Sequence, residues 1–151
     1  MERILPLVKK YGAAVIGMAD DETGISMVPE ERVALARRII QRASDHGIPQ
    51  EDVIIDPIAM TVAADPTCGV ITLQTMRLIR EQLGNNMTCG ASNVSFGLPD
   101  RATVHAAFLP VAMHAGLPCA HTHPHGPGAR PPRLAGALPP FALPCAPILP
   151  T

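Results

Sequence analysis

The sequence has no tryptophan, one tyrosine and three phenylalanines, and no acidic residue follows Asp100. It lacks a run of about eighteen apolar residues, the length that indicates a membrane-spanning helix. Twelve basic and thirteen acidic residues give a net charge of −1, so the chain has neither a basic patch for nucleic acid nor a polybasic membrane anchor. Its N-terminus, MERILPLVKK, does not match a signal peptide. These absences predict a cytoplasmic protein without a nucleic-acid or membrane partner.

The four cysteines form no C-x-x-C pair and have no zinc-site spacing. This pattern favours isolated reduced thiols over a disulfide or metal framework. They are Cys68, Cys89, Cys119 and Cys145.

Short apolar runs indicate strands that are buried on both faces, as in a parallel sheet. The first is AAVIGMA, residues 13–19, and the second is DVIIDP, residues 52–57. A third strand is predicted at about residues 87–91. All three are followed by polar residues rather than by another apolar run.

Helical periodicity predicts three amphipathic helices that alternate with these strands, over residues 29–47, 69–84 and 101–116. Glycine ends the first two, and Pro110 should kink the third. The predicted apolar stripes are Val33, Ala36, Ile40 and Ala43 in the first, Val70, Leu73, Met76 and Leu83 in the second, and Val104, Phe108, Val111 and Ala115 in the third.

Alternating strands and helices predict an α/β fold with a parallel sheet, either doubly wound or a (β/α)8 barrel. Both architectures place ligand sites at the carboxyl ends of the strands. Asp56 ends the second strand and Asn93 follows the third, after the small residues Gly90, Ala91 and Ser92. This arrangement predicts a slot for a flat ligand, with a carboxylate and an amide pointing into it. The alternative is that Asp56 and Pro57 simply end the strand.

The strings VIIDPIAM and CGASNVSFGLPDR together resemble the pterin-binding methyltransferase family, which moves the methyl group of 5-methyltetrahydrofolate to a corrinoid cobalt. The resemblance runs from about residue 16 to residue 117. It implies a partial TIM (β/α)8 barrel, about strands 4 to 6 with their helices. Dihydropteroate synthases share the barrel and the pterin site, so a synthase-like pterin enzyme stays an alternative.

The resemblance also implies roles for individual residues. Asp56 matches the aspartate that binds the pterin ring, and Asn93 matches the catalytic asparagine near N5. Gly90, Ser92 and Arg101 match further substrate-binding positions.

Three other residues fit the family pattern less well. Phe96 stands where members of the family have glutamine. Asp20 and Asp21 follow the first strand, where they can contact a ligand or form a solvated turn; the turn is the preferred interpretation.

The implied methyl donor is 5-methyltetrahydrofolate, and the implied acceptor is cobalamin or another corrinoid on a separate protein or module. The sequence has no D-x-H-x-x-G string for binding cobalamin itself. Full-length members of the family suggest a homodimer.

Residues 118–151 differ in composition from residues 1–117, the predicted partial barrel domain. Ten of the seventeen prolines lie in this tail. It is either a polyproline linker or the product of a shifted reading frame, and we prefer the second interpretation. An alternative function is a non-catalytic or metal-binding chain that uses His121, His123 and His125. We expect the chain by itself to be inactive and to bind folate weakly.

Overall fold

A computed structural model describes residues 1–121, in which helices and short parallel strands alternate. The helices are α1 (Leu5–Tyr11), α2 (Pro29–Asp45), α3 (Cys68–Gln82) and α4 (Arg101–His114). The strands are β1 (Val15–Met18), β2 (Val53–Asp56), β3 (Thr88–Gly90) and β4 (Cys119–His121). Two 3₁₀ turns, Gln50–Asp52 and Ala91–Ser95, flank β2 and β3. The predicted mixed α/β fold with parallel strands is confirmed.

The strands form two parallel two-stranded sheets, β1-β2 and β3-β4. Met18 of β1 lies opposite Asp56 of β2, and Gly90 of β3 lies opposite His121 of β4. A single bridge between Ile55 and Met87 joins β2 to β3. All four carboxyl ends therefore lie at one edge of the strand array.

The helices α2, α3 and α4 pack on one face of the strands and form the apolar core with them. Val53 and Ile55 of β2 are fully buried on this face. Other core residues include Val33, Ala36, Met76, Ile79, Met87, Cys89, Phe108, Leu109 and Ala112. The helices cover only this face, so side chains on the opposite face of the strands are less buried.

The prediction that the first strand is buried on both faces is wrong. Ile16 and Met18 are 48% and 51% exposed, whereas Gly17 between them faces α2. Successive side chains of a strand point to opposite faces, and no element within residues 1–121 covers the face that carries Ile16.

Two of the predicted helix stripes each include one exposed residue, although Met76, Phe108 and Ala115 are buried as predicted. Val70 is 57% exposed, because α3 turns Thr72, Thr75, Met76 and Ile79 inward instead. Val111 is 44% exposed, because the buried face of α4 is carried by His105, Phe108, Leu109 and Ala112. Several stripes of helical period fit such apolar helices, so the sequence alone does not select one.

The α4 helix continues through Pro110, which lies on its exposed side. None of the helices within residues 1–121 is long and apolar enough to cross a membrane. The predicted boundary at residue 117 stays untested, although β4 lies beyond it. His123, His125 and the Pro-rich segment lie outside the described residues.

Candidate functional site

Asp56 and Asn93 follow neighbouring parallel strands at the same edge. Asp56 is the last residue of β2, and Asn93 lies in the 3₁₀ turn directly after Gly90, the last residue of β3. The side chain of Asp56 is half-buried, whereas Asn93 is exposed. The carboxylate and the amide therefore come from adjacent loops at the strand ends.

The turn after β2 fixes one oxygen of the Asp56 carboxylate. Its Oδ1 atom accepts a hydrogen bond of 2.8 Å from the backbone N–H of Ile58. Ile58 is the one residue other than glycine within residues 1–121 that has a positive φ, of 62°. A β-branched side chain rarely adopts this left-handed conformation, so the surrounding contacts must hold the turn.

Those contacts come from Arg32 on α2. Its Nη1 atom donates to the carbonyl oxygens of Pro57 and Ile58, both at 2.9 Å. Its Nε atom donates to the Ser26 carbonyl at 2.6 Å. Arg32 is 0% exposed, and its burial lowers the pKa of the guanidinium. This one side chain connects the loop after β1 to the turn after β2.

Burial raises the pKa of the Asp56 carboxyl above its ordinary value. The Ile58 N–H and the nearby His121 act in the opposite direction, and Asp20 adds to the rise. The second carboxylate oxygen has no hydrogen-bond partner among residues 1–121. It is therefore available to accept a hydrogen bond from a ligand N–H group, which would favour the ionised form.

The Asn93 amide lies directly over Gly90. A Cβ atom at position 90 would lie 3.0 Å from Asn93 Nδ2, closer than such atoms normally approach. The Asn93 carboxamide makes no hydrogen bond within the described part of the chain. A small residue at position 90 thus makes room for an amide that keeps its donors and acceptor free.

Arg101, at the start of α4, braces the turn that carries Asn93. Its Nη2 atom donates to the Ser92 carbonyl at 3.1 Å, and its guanidinium lies 5.5 Å from the Phe96 ring centroid. Ser95 also donates to the Ser92 carbonyl at 3.1 Å. The predicted ligand contacts of Gly90, Ser92 and Arg101 stay predictions. In the structure, Arg101 braces the turn through the Ser92 carbonyl, and Gly90 leaves room for the Asn93 amide.

The two loops are hydrogen-bonded to each other. Val62, after β2, donates its N–H to the Val94 carbonyl at 3.0 Å. The Thr61 hydroxyl donates to the Phe96 carbonyl. The segments that carry Asp56 and Asn93 are therefore held together by direct bonds as well as by the strands.

Asp21 forms a local turn on the loop after β1. Its Oδ1 atom accepts hydrogen bonds from the Thr23 N–H and hydroxyl, at 2.9 and 2.6 Å. These bonds lower the pKa of its carboxyl. Asp20 is exposed and lies near enough to Asp56 to influence its pKa.

The buried Cys89 thiol lies behind the site on the helix-facing side of β3. Burial, and then the nearby Asp56 and Cys119, raise its pKa to about 12. Such a thiol stays protonated and unreactive at neutral pH. Residues 1–121 contain no group of three or more histidine, cysteine or acidic side chains placed to hold a metal ion.

Two features of the site were missed by sequence reasoning. A signal for Arg32 exists, because it lies four residues before Ala36 on the core-facing stripe of α2, where an arginine needs buried acceptors. The left-handed Ile58 has no such signal, since isoleucine normally avoids that conformation.

The fold and this edge define a class: parallel α/β proteins whose ligand groups lie at the carboxyl ends of the strands. A family model described as pterin binding enzyme matches residues 1–123, and the chain belongs to this family. The predicted family resemblance is confirmed.

Three curated relatives are similar to the chain. Methionine synthase of Mycobacterium tuberculosis (strain ATCC 25618 / H37Rv) is 29% identical over 129 residues, which cover 80% of this chain and 11% of the relative. Methionine synthase of Mycobacterium leprae (strain TN) is 30% identical with the same coverage. Methylcorrinoid:tetrahydrofolate methyltransferase of Eubacterium limosum is 28% identical over 127 residues, 82% of this chain and 47% of the relative. The chain thus spans between about a tenth and a half of the length of these relatives.

Proposed function

We propose that the chain carries part of the folate site of a methyltransferase that transfers the N5 methyl group of 5-methyltetrahydrofolate to a corrinoid cobalt. The observation that carries this proposal is the pairing of Asp56 and Asn93 at the ends of adjacent parallel strands. Membership of the pterin-binding family and the names of the relatives support it. Within this proposal the strands are part of a (β/α)8 barrel, and the protein acts in the cytoplasm.

Asp56 binds the ring. One oxygen is held by Ile58, and the other accepts a hydrogen bond from the N–H edge of the pterin. A carboxylate forms strong, charge-assisted hydrogen bonds with such an edge. Because the carboxyl is half-buried, this bond also compensates part of the cost of its ionisation.

Asn93 assists the departure of the methyl group. As the bond between the methyl carbon and N5 breaks, the electron pair stays on N5, and a tertiary amine that carries a proton there is the better leaving group. The uncommitted Asn93 amide can accept a hydrogen bond from that protonated nitrogen or donate one to its lone pair. The amide itself does not titrate.

The methyl acceptor is a corrinoid that is bound by a separate protein or module, and this corrinoid protein is the partner. Full-length enzymes of this type form a homodimer in our proposal. Residues 1–121 supply four strands, whereas a barrel has about eight, so we expect the chain by itself to bind folate in the millimolar range and to be inactive.

The proposal is tested by following backbone amide resonances while 5-methyltetrahydrofolate is added to the full chain. Shifts should saturate and concentrate at Asp56–Ile58 and at Gly90–Asn93. Asp56→Ala should weaken binding at least roughly tenfold, since it removes a charge-assisted hydrogen bond.

A matched control is Asp52→Ala, which removes a carboxylate at the opposite end of β2. It should leave the folate shifts unchanged. Shifts that spread over the surface, or that respond equally to both variants, would contradict the proposed site. Preferential binding of an unmethylated dihydropterin would favour the synthase-like alternative.

A further inference from the structure

A buried arginine that serves no ion pair lies beneath the proposed site. Arg32 is 0% exposed, and no carboxylate within residues 1–121 forms a salt bridge with it. Its Nη2 atom is buried without a hydrogen-bond partner in the same part of the chain. Burying a guanidinium is costly unless hydrogen bonds compensate for the lost water. The three hydrogen bonds that it does make are therefore the features to explain.

All three bonds go to backbone carbonyls of loops at the carboxyl edge. Two successive carbonyls, those of Pro57 and Ile58, accept from the same Nη1 atom. Successive carbonyls of an extended chain point in opposite directions, so they meet one donor only where the backbone turns sharply. The left-handed φ of Ile58 supplies that turn, and Thr72 on α3 adds a weaker bond of 3.4 Å to the Ile58 carbonyl.

The Pro57 carbonyl and the Ile58 N–H belong to one planar peptide unit and point in opposite directions, so the Arg32 bond to this carbonyl directs the N–H to Asp56 Oδ1, at 2.8 Å. This bond fixes the rotation of the carboxylate and leaves its other oxygen without a partner. Without the Arg32 bond the Pro57–Ile58 peptide unit is free to rotate, and its N–H would then point away from the carboxylate.

We infer that Arg32 is a positioning residue of the folate site, which holds the Pro57–Ile58 turn and so aims the Asp56 carboxylate at the pterin ring. The inference rests on the proposed function, because it takes Asp56 as the group that binds the ring. It adds a residue that does not contact the ligand and acts on it through the backbone.

The test compares Arg32→Lys with Asn85→Ala in the full chain. Arg32→Lys keeps the positive charge but lacks the planar fork that reaches three carbonyls. Asn85 is a matched control, since it is also buried and also donates two bonds to backbone carbonyls, those of Gln50 and Val53, at the opposite end of β2.

The first measurement is hydrogen exchange of the Ile58 amide, relative to that of the Ile55 amide in the strand. Arg32→Lys should accelerate Ile58 exchange roughly tenfold relative to Ile55, because one local hydrogen bond is lost. Asn85→Ala should leave the ratio unchanged, even though it lowers overall stability. Thr72→Val removes the weaker bond to the Ile58 carbonyl, together with the 2.8 Å bond of the same hydroxyl to the Cys68 carbonyl within α3. It should change the ratio in the same direction by a smaller factor, and it replaces Arg32→Lys if that variant does not fold.

The second measurement is the affinity for 5-methyltetrahydrofolate, which should fall about tenfold in Arg32→Lys and stay unchanged in Asn85→Ala. An unchanged Ile58 ratio in the Arg32 or Thr72 variants overturns the inference, whatever happens to binding. An accelerated Ile58 with unchanged affinity overturns the link to the ligand. A wild-type chain that shows no saturable folate shifts overturns the proposed function instead, so the two failures are distinct.

Discussion

An arginine braces each of the turns after β2 and β3, but the two arginines differ in burial and in the hydrogen bonds that they make. Arg32 is buried and makes three bonds to backbone carbonyls, and the Asp56 side chain beside it is fixed. Arg101 is exposed, its best side-chain bond is 3.1 Å, and the Asn93 amide that it supports is unbound. The difference teaches that the charged group is preorganised, whereas the neutral amide keeps freedom to adjust.

The largest expected effect comes from removing each brace. Arg32→Met removes the hydrogen bonds to two buried carbonyls, those of Pro57 and Ile58, and to the half-buried Ser26 carbonyl, and should lower the free energy of unfolding by about 3 kcal/mol. Arg101→Met affects an exposed contact and should cost less than about 1 kcal/mol. Urea denaturation of both variants measures this, and equal losses would refute the contrast between the two turns.

Placing an amide at residue 56 and a carboxylate at residue 93 tests how burial affects the cost of a charge in each turn. The folded-state pKa of Asp56 is raised, so its contribution to stability is complete below about pH 3.9, the ordinary pKa, and is lost as pH rises through the folded-state value. Asp56→Asn avoids that loss and should be more stable than wild type at pH 7. Asn93→Asp, at an exposed position, should change stability little.

Denaturation curves between pH 3 and pH 7 measure this effect. The stability difference between Asp56→Asn and wild type should grow with pH across that window and then level off. A difference that shrinks with rising pH would mean that the folded site favours the ionised carboxylate instead.

The backbone strain of the first turn is isolated by two substitutions at one position. Ile58→Gly should be more stable than Ile58→Ala by about 1 kcal/mol, because only glycine adopts a positive φ without cost. The same pair at the exposed helical residue Gln74 should show the opposite order by about 1 kcal/mol. Thermal unfolding of the four variants checks the reversal.

The smallest effect on stability is expected at the second turn. Gly90→Ala places a Cβ atom 3.0 Å from Asn93 Nδ2. The exposed amide should move aside, so the free energy of unfolding should change by less than about 1 kcal/mol. Folate affinity should nevertheless fall roughly tenfold, since the amide is displaced. Gln74→Ala, at an exposed position of α3, is the control in the resonance titration. A Gly90→Ala chain that binds as well as wild type would show that Asn93 has no fixed role.

Sequence periodicity predicted the elements better than their orientation. The strand Val53–Asp56 follows from a continuous apolar run, and the helix Pro29–Asp45 follows from helical periodicity. The exposure of Val70 and Val111 did not, because more than one stripe fits an apolar helix. Burial on both faces failed for β1, since it depends on what covers the sheet rather than on the strand itself.

For the site, the sequence located the polar residues at the strand ends but not the forces that orient them. Asp56 and Asn93 stand out because polar groups follow apolar strands. The bonds of Arg32 and the left-handed Ile58 depend on residues about 25 positions apart and on a conformation that isoleucine disfavours. Such long-range compensation leaves no local signature.

The hydrogen bonds of Thr61 and Val62 to the Phe96 and Val94 carbonyls couple the two turns mechanically. A displacement of either loop is transmitted to the other across these bonds, so the spacing between the carboxylate and the amide is set by segment 61–62 as much as by the strands. Substitutions at Thr61 and Val62 should therefore change this spacing and retune selectivity between rings of different width.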